Sequence, residues 1–453
     1  MTDLLAARSQ MALSLGFHIL FSVVGIAMPL LMVIAEWRYL KTGREVFKTL
    51  ARRWSKGVAI LFGVGAVSGT VLSFELGLLW PEFMAWAGPV IGMPFSLEGF
   101  AFFLEAIFLG IYLYGWDRVP PKAHLAAGLG VAISGTMSGI FVVSANAWMN
   151  TPQGFELGPD GQVLAVNVWE AMFNPAMPTQ TLHMTIAAFE AVGFLVAGIH
   201  ALRLLRDPDN DFHRQALAIA LIVGGVAAFL QPLSGDLAAK HLAKHQPVKL
   251  AAMEGHWETE SGASLLVGGL PDEETETTPY AIHIPKALSF LAYADFDAEV
   301  KGLKEFPVED RPPVTITHLS FQAMVGIGTW LMALGALGAL LWWRAGKQLP
   351  RQRWFLGLLA ASTPLGMLAV EAGWMVTEIG RQPWVIHGIM RTKDAVTPMP
   401  NLVGPMTTFA LLYLVLGVVV VLLMKRHVFD APSVEPGEPA GPGERSEEVS
   451  HVA

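Results

Sequence analysis

Nine predominantly apolar stretches dictate what this chain can fold into. They lie near residues 12–35, 57–79, 93–116, 124–148, 183–204, 215–235, 316–343, 355–377 and 403–425. An α-helix needs about 20 apolar residues to cross a hydrocarbon layer ~30 Å thick. Only 15% of the 453 residues are charged and 53% are hydrophobic, against about 25% charged in a soluble domain. The chain is therefore expected to be an all-α, polytopic membrane protein with nine transmembrane helices.

The connections carry charge unevenly. Segment 36–56 contains Arg38, Lys41, Arg44, Lys48, Arg52, Arg53 and Lys56. Segments 203–214 and 344–354 are also basic, with Arg203, Arg206 and Arg214, then Arg344, Lys347, Arg351 and Arg353. Segments 80–92 and 149–182 hold no Lys or Arg. The positive-inside rule then places the N-terminus outside and the C-terminus in the cytoplasm, as an odd helix count requires. Met1 to Arg8 lacks the basic n-region and A-x-A site of a cleavable signal. Residues 236–315 read as one extracytoplasmic loop, acid-rich at PDEETETT (271–278). Long loops in compact proteins are functional or disordered. The Pro/Gly/Glu-rich segment 429–453 reads as a disordered cytoplasmic tail, which leaves 1–428 as one membrane domain.

There is no cysteine. That removes disulfides, Cys-ligated iron–sulfur clusters, C-x-x-C-H haem attachment and thiolate copper sites. A metal must then be held by His, Met, Asp or Glu. His18 lies deep in the first apolar run. It is either a neutral histidine bonded to a neighbouring carbonyl or a ligand to haem iron. His183 opens the fifth run and Met324 lies near the start of the seventh, at similar depth. The two could face each other across one haem, although Met324 taken singly reads as core or lipid-facing. The eighth run ends in GWMVTEIGRQPW (373–384), where Glu378 is followed by Arg381, Gln382 and Trp384. Such an Arg could pair with the acid or clamp haem propionates.

Two further pairs stand out. Glu98 and Glu105, in LEGFAFFLEAIF (97–108), share a helical face and are about 10 Å apart along the axis. An ionised carboxylate at that depth costs on the order of 3 kcal/mol or more. Taken alone, the pair is an energetic anomaly on a shared helical face. In the long loop, PVKLAAMEGHWET (247–259) sets Lys249 and Glu254 five apart. Spacing alone makes this a solvated amphipathic segment with a salt bridge worth ~0–1 kcal/mol.

EGFAFFLE (98–105), KLAAMEGHWET (249–259), GRQPW (380–384) and the early His18 occur together in this order. Over roughly 1–428 the chain resembles subunit I of the cytochrome bd-type quinol oxidases, including their cyanide-insensitive branch. The resemblance implies a haem subunit of the bacterial cytoplasmic membrane. Such a subunit oxidises quinol at the extracytoplasmic loop and reduces O2 to water, building a proton gradient without a conformational pump. It implies His183 and Met324 as axial ligands of a low-spin haem b. His18 and Glu378 become the single protein ligands of two high-spin haems, one of b type and the other haem d or a further haem b. Arg381, Gln382 and Trp384 would lie beside the haems, with Trp374 as a neighbour. Lys249 and Glu254 would bind quinol, which replaces the solvated reading. Glu98 and Glu105 would be two stations for protons with something polar bridging the gap, and Ser138 and Asn146 of the fourth run would be contributors. The implied partners are a second large membrane subunit (subunit II) and small single-helix subunits, with no nucleic acid. One position departs from the pattern. Where many members have Arg two residues before the ligating Met, this chain has Gln322, without the fixed charge that would raise a haem potential.

Three rivals use parts of the same evidence. A proton-coupled transporter would use the intramembrane carboxylates but would be colourless. A haem–copper oxidase needs a His cluster, and a bis-His cytochrome b needs paired His on two helices. Neither pattern is evident in the sequence.

Overall fold

The structure is a computed structural model that describes residues 1–159, 161–346 and 351–429. Lys347 and, beyond Phe429, the expected tail lie outside the described residues. Among the described residues, nine helical segments are long and apolar enough to cross a membrane.

In chain order the first four are α1 (Asp3–Thr42), α2 (Glu45–Leu79), α3 (Pro81–Tyr114) and α4 (Pro121–Asn150). A hairpin of β1 (Phe155–Leu157) and β2 (Val163–Val166) and the short α5 (Val168–Met172) follow. They lead to α6 (Met177–Leu204) and α7 (Asp211–His245). A long excursion contains α8 (Pro247–Glu254), β3 (Glu260–Ser261), β4 (Leu265–Gly268), β5 (Ala281–Ile284), α9 (Ala287–Tyr293) and β6 (Glu299–Val300). Then come α10 (Val314–Arg344), α11 (Arg353–Ala361) and α12 (Leu365–Ile379). The paired β7 (Trp384–Ile386) and β8 (Met390–Arg391), the short α13 (Thr392–Ala395) and α14 (Val403–Met424) complete the order. Helices α11 and α12 together make one span, interrupted around Pro364, where the ring removes a backbone donor.

Two expected boundaries move. Residues 80–92 are not a loop, because only Trp80 separates α2 from α3. Pro81 occupies the first turn of α3, where its missing N–H costs nothing. Pro89 and Pro94 lie inside the helix, as membrane helices tolerate. The 236–315 connection also begins as helix. With no break before Pro247, α7 runs on to His245, and an Asp236–Lys240 pair at 2.6 Å supports the extra turns.

The first and last helices fix the ends of the bundle. Asp3 Oδ1 accepts from the backbone N of Leu402 at 2.9 Å, which joins the start of α1 to the start of α14. At the other end of α14, Met424 and Val428 stand against Gly57 of α2. One end of the bundle is thus made of basic connections, and the opposite end carries the hairpins and the long excursion. The main core fills the basic half, around Leu31, Met32, Phe47, Leu50, Tyr112, Phe194, Leu217 and Phe355.

Small residues set where the helices touch. A Cβ on Gly193 of α6 would lie 2.4 Å from Gly224 Cα of α7, and one on Gly335 of α10 would lie 3.3 Å from Gly225 Cα. Three backbones therefore converge at one level, as bare residues allow in lipid. His183 precedes Gly193 by ten residues and Met324 precedes Gly335 by eleven. At 1.5 Å per residue both lie about 15–17 Å from this pinch, toward the loop end. The expected match in depth follows from the backbone.

Candidate functional site

Helix α12 organises the candidate ligands, because it meets three different helices along its length. Toward α1, Glu371 Oε2 and the Trp374 ring approach Gly16, two residues before His18. Toward α10, Gly373 lies beside Met324, and a Cβ there would be 2.9 Å from the sulfur. Toward α4, Glu378 Oε1 accepts a short hydrogen bond from Asn146 Nδ2. Sequence reasoning named Trp374, Met324, Glu378 and Asn146 separately. It missed Glu371, although a carboxylate at membrane depth was a readable signal.

Each histidine is held by polar side chains on a neighbouring turn or helix. His18 Nδ1 lies 2.9 Å from Ser68 Oγ of α2, and its Nε2 lies 2.9 Å from Ser22 Oγ. His183 Nδ1 lies 3.0 Å from Ser234 Oγ of α7, and Gln231 Nε2 approaches both ring nitrogens at 3.2–3.3 Å. Bare backbone faces both rings. A Cβ on Gly69 would stand 3.0 Å from the His18 ring, and one on Gly235 would stand 3.5 Å from the His183 ring.

The loop end of α12 gathers the charged residues. Arg381 is 3% exposed and pairs with Glu378 Oε2 through Nη2, while its Nε and Nη1 are buried without partners. Two orphaned guanidinium nitrogens are buried donors still open to anionic acceptors. Lys249 joins this cluster from α8. Its ammonium donates to Thr377 O at 2.9 Å and to Asn150 Oδ1 at 3.2 Å. A Cβ on Gly380 would lie 3.1 Å from the Lys249 stem, so the glycine of GRQPW makes room for the lysine of the distant loop. Gln246 braces the junction, its Nε2 donating to Asn150 O at 2.7 Å. Burial, then the nearby Arg381, pulls the Lys249 ammonium down to about 7.

Glu254 stands apart from Lys249. It is 4% exposed, its Oε2 has no partner, and burial pushes its carboxyl up to about 8. A solvated Lys249–Glu254 salt bridge is therefore overturned, since both groups are buried and no ion pair joins them among the described residues. Five residues along a helix turn the second side chain about 140° from the first. The neighbouring chain is pinned instead by His318 of α10, whose Nδ1 lies 2.9 Å from Met253 O and whose Nε2 lies 3.0 Å from Gly268 O.

Of the remaining GRQPW side chains, Gln382 reaches back to the same turn, its Nε2 donating to Glu378 O at 3.4 Å. Gln382 Oε1 accepts from Thr392 Oγ1 at 2.8 Å, and the Trp384 ring lies 4.8 Å beneath the Arg391 guanidinium. Gln322 is a fastener. Its Nε2 donates to Leu266 O at 2.9 Å and its Oε1 accepts from Gly268 N at 3.0 Å, so it pairs with β4 as a neighbouring strand would.

The carboxylate pair of α3 faces α4. Ser138 Oγ donates to Glu98 Oε1 at 3.2 Å. Glu105 is 5% exposed, with an unpartnered Oε1 3.1 Å from where a Cβ on Gly135 would stand. The expected polar bridge is absent as a side chain among the described residues: α4 offers a hydroxyl to one carboxylate and bare backbone to the other.

The residues present fit a haem group. Imidazole and thioether donors lie beside cleared backbone at Gly69, Gly235 and Gly373, and Arg381 keeps two unsatisfied donors that suit a carboxylate.

Comparison with known proteins supplies the wider frame. A family model described as "Cytochrome bd terminal oxidase subunit I" matches residues 6–432. A "Putative cytochrome bd menaquinol oxidase subunit I" of Bacillus subtilis is 38% identical over 95% of this chain and 98% of its own length. A "Cytochrome bd ubiquinol oxidase subunit 1" of the same organism is 35% identical over 94% of each chain. The solved bd oxidase from Geobacillus thermodenitrificans superposes with a TM-score of 0.89 at 40% identity, covering 95% of this chain and 99% of that one.

Proposed function

From the membership of this chain in the cytochrome bd terminal oxidase subunit I family, we propose how its residues serve quinol oxidation and O2 reduction. The chain is the haem subunit of a quinol:O2 oxidoreductase in a bacterial membrane and works beside a subunit II. Small single-helix subunits complete the complex. The loop end faces outward and the basic end faces the cytoplasm, which the charge distribution supports.

Haem bound among these helices supplies electron transfer and the iron at which O2 is reduced. His183 of α6 and Met324 of α10 would hold a low-spin haem b, at the matched depth fixed by the glycine pinch. His18 and Glu378 would each hold one high-spin haem, of b and d type or both b. Glu378 is hydrogen-bonded through both oxygens, so it would exchange a partner when it binds iron. Arg381 would turn its two unpartnered donors to propionate oxygens.

Quinol would bind over α8. The carboxylate of Glu254, buried and without a partner on Oε2, accepts a quinol proton once ionised. Lys249 orients the reduced ring and stabilises its anion, and its burial excludes water from that contact. Glu98 and Glu105 hold protons on their way from the cytoplasmic side to the O2 site. Protons released outside and taken from inside build the gradient without a pumping motion.

One observation carries this reading: Lys249, from the loop, bonds directly to the last turn of the helix that bears Glu378 and neighbours Met324. The substrate side and the cofactor side are thus one hydrogen-bonded unit. A reduced-minus-oxidised spectrum with pyridine haemochrome analysis of the purified complex tests it. Three haems per complex are expected. A colourless protein would reject the reading in favour of a proton-coupled transporter.

A further inference from the structure

The outward face of α7 carries a continuous stripe. Ile222, Val226, Phe229, Leu230, Leu233 and Leu237 are each between 45% and 67% exposed. Their spacings of three and four keep them within a sector about 100° wide. Lys240 and Lys244 continue the same spacing toward the end of the helix. From Val226 to Leu237 the helix rises about 16 Å, roughly half of a ~30 Å hydrocarbon layer.

The lysines open onto a cavity of about 750 Å³, which Tyr293, Pro247 and Lys301 also line. Tyr293, in the last turn of α9, donates its hydroxyl to Ala243 O at 3.3 Å and holds that side against the helix. Lys240 pairs with Asp236 at 2.6 Å and Lys301 with Glu305 at 2.7 Å. Lys244 is exposed and has no carboxylate partner among the described residues. Three cations from two separate chain segments therefore converge above an apolar track one leaflet deep. Two of the other connections at that end of the bundle, at 80 and 151–176, lack Lys and Arg, and the one at 380–402 carries Arg381, Arg391 and Lys393.

We propose that this face binds one anionic phospholipid, its acyl chains along Val226–Leu237 and its phosphate against Lys240, Lys244 and Lys301. A neutral quinol head would have no use for three ammonium groups, whereas a phosphodiester can accept from all of them.

The test uses the assembled oxidase in mild detergent, stripped of loosely held lipid and titrated with phosphatidylglycerol or phosphatidylcholine under native mass spectrometry. The wild type should retain phosphatidylglycerol in preference to phosphatidylcholine. Lys244→Gln and Lys301→Gln should each weaken it about fivefold, and together about 25-fold. Lys244→Arg should keep it. The haem spectrum, unchanged in these variants, reports that they fold. Millimolar inorganic phosphate should not displace the lipid, because it has no chains for the stripe. Equal retention of both lipids, an unaltered double variant, displacement by phosphate alone, or bound quinone in place of phospholipid would each overturn the proposal. None of these readouts depends on quinol oxidation, so the two readings fail separately.

Discussion

A Cβ on Gly373 would stand 2.9 Å from the sulfur of Met324, so α10 and α12 meet with a thioether against bare backbone. Adding one methyl group must push the sulfur aside. Gly373→Ala is expected to weaken the low-spin signal in the reduced-minus-oxidised spectrum, and Met324→Leu to convert that haem to high-spin. Total haem by pyridine haemochrome should stay constant. An unchanged spectrum in Met324→Leu would remove it from the ligand set.

Lys249 donates to Thr377 O and Asn150 Oδ1 from a fully buried position. Lys249→Met keeps the stem and deletes the donors. The quinol KM should rise tenfold or more while every haem band persists, as for a residue that acts on substrate and not on cofactor. Unaltered steady-state kinetics would sink the loop assignment.

Burial holds the Glu254 carboxyl protonated up to about pH 8, and a protonated carboxyl cannot accept a quinol proton. Ionisation grows as the outer pH rises, while the Lys249 ammonium, pulled down to about 7, is lost over the same range, so kcat/KM for quinol should rise to a maximum between about pH 7 and 8 and then fall. In Glu254→Gln that rise should vanish and the rate should fall throughout. A Gln variant with the wild-type pH profile would assign the titration to another group.

Arg381 has one guanidinium nitrogen on Glu378 and two donors free. Lysine cannot reproduce that fork. Arg381→Lys is expected to lower haem content from three to two per complex, and full haem content would show that the clamp is dispensable.

Glu105→Gln should slow O2 reduction after electrons have arrived, by roughly 10²-fold if the carboxyl relays protons. Ser138→Ala removes the hydroxyl on Glu98 and should have a smaller effect in the same assay, which follows flash-initiated O2 reduction. Normal turnover with normal haem in Glu105→Gln takes that residue out of the path.

The helices were legible because apolar length is a one-dimensional property, and the 3.6-residue period put Glu98 and Glu105 on one face without coordinates. The start of α3 was misread because Pro81 and Pro89 look like loop signals in water, whereas the first turn and the neighbouring helices absorb them here. Lys249 was misread from spacing alone for a different reason. Its partners, Asn150, Thr377 and Arg381, lie about 100 or more residues away in sequence, and no local pattern can announce a contact at that range. The serines behind His18 and His183 were invisible likewise, since a serine in a membrane helix usually bonds its own backbone. Glycine proved the most informative residue type at the site, and only the fold reveals which ligand each glycine faces.

Gln322 gives the bundle a mechanical property. Its amide holds β4 by two hydrogen bonds, and it sits two residues from Met324 on the same turn of α10. Any displacement of the 265–268 strand must either break both bonds or drag that turn along. The methionine sulfur is therefore tethered to the hairpin, and with Met324 on a haem iron as proposed, a substrate that shifts the hairpin would register as a change in colour.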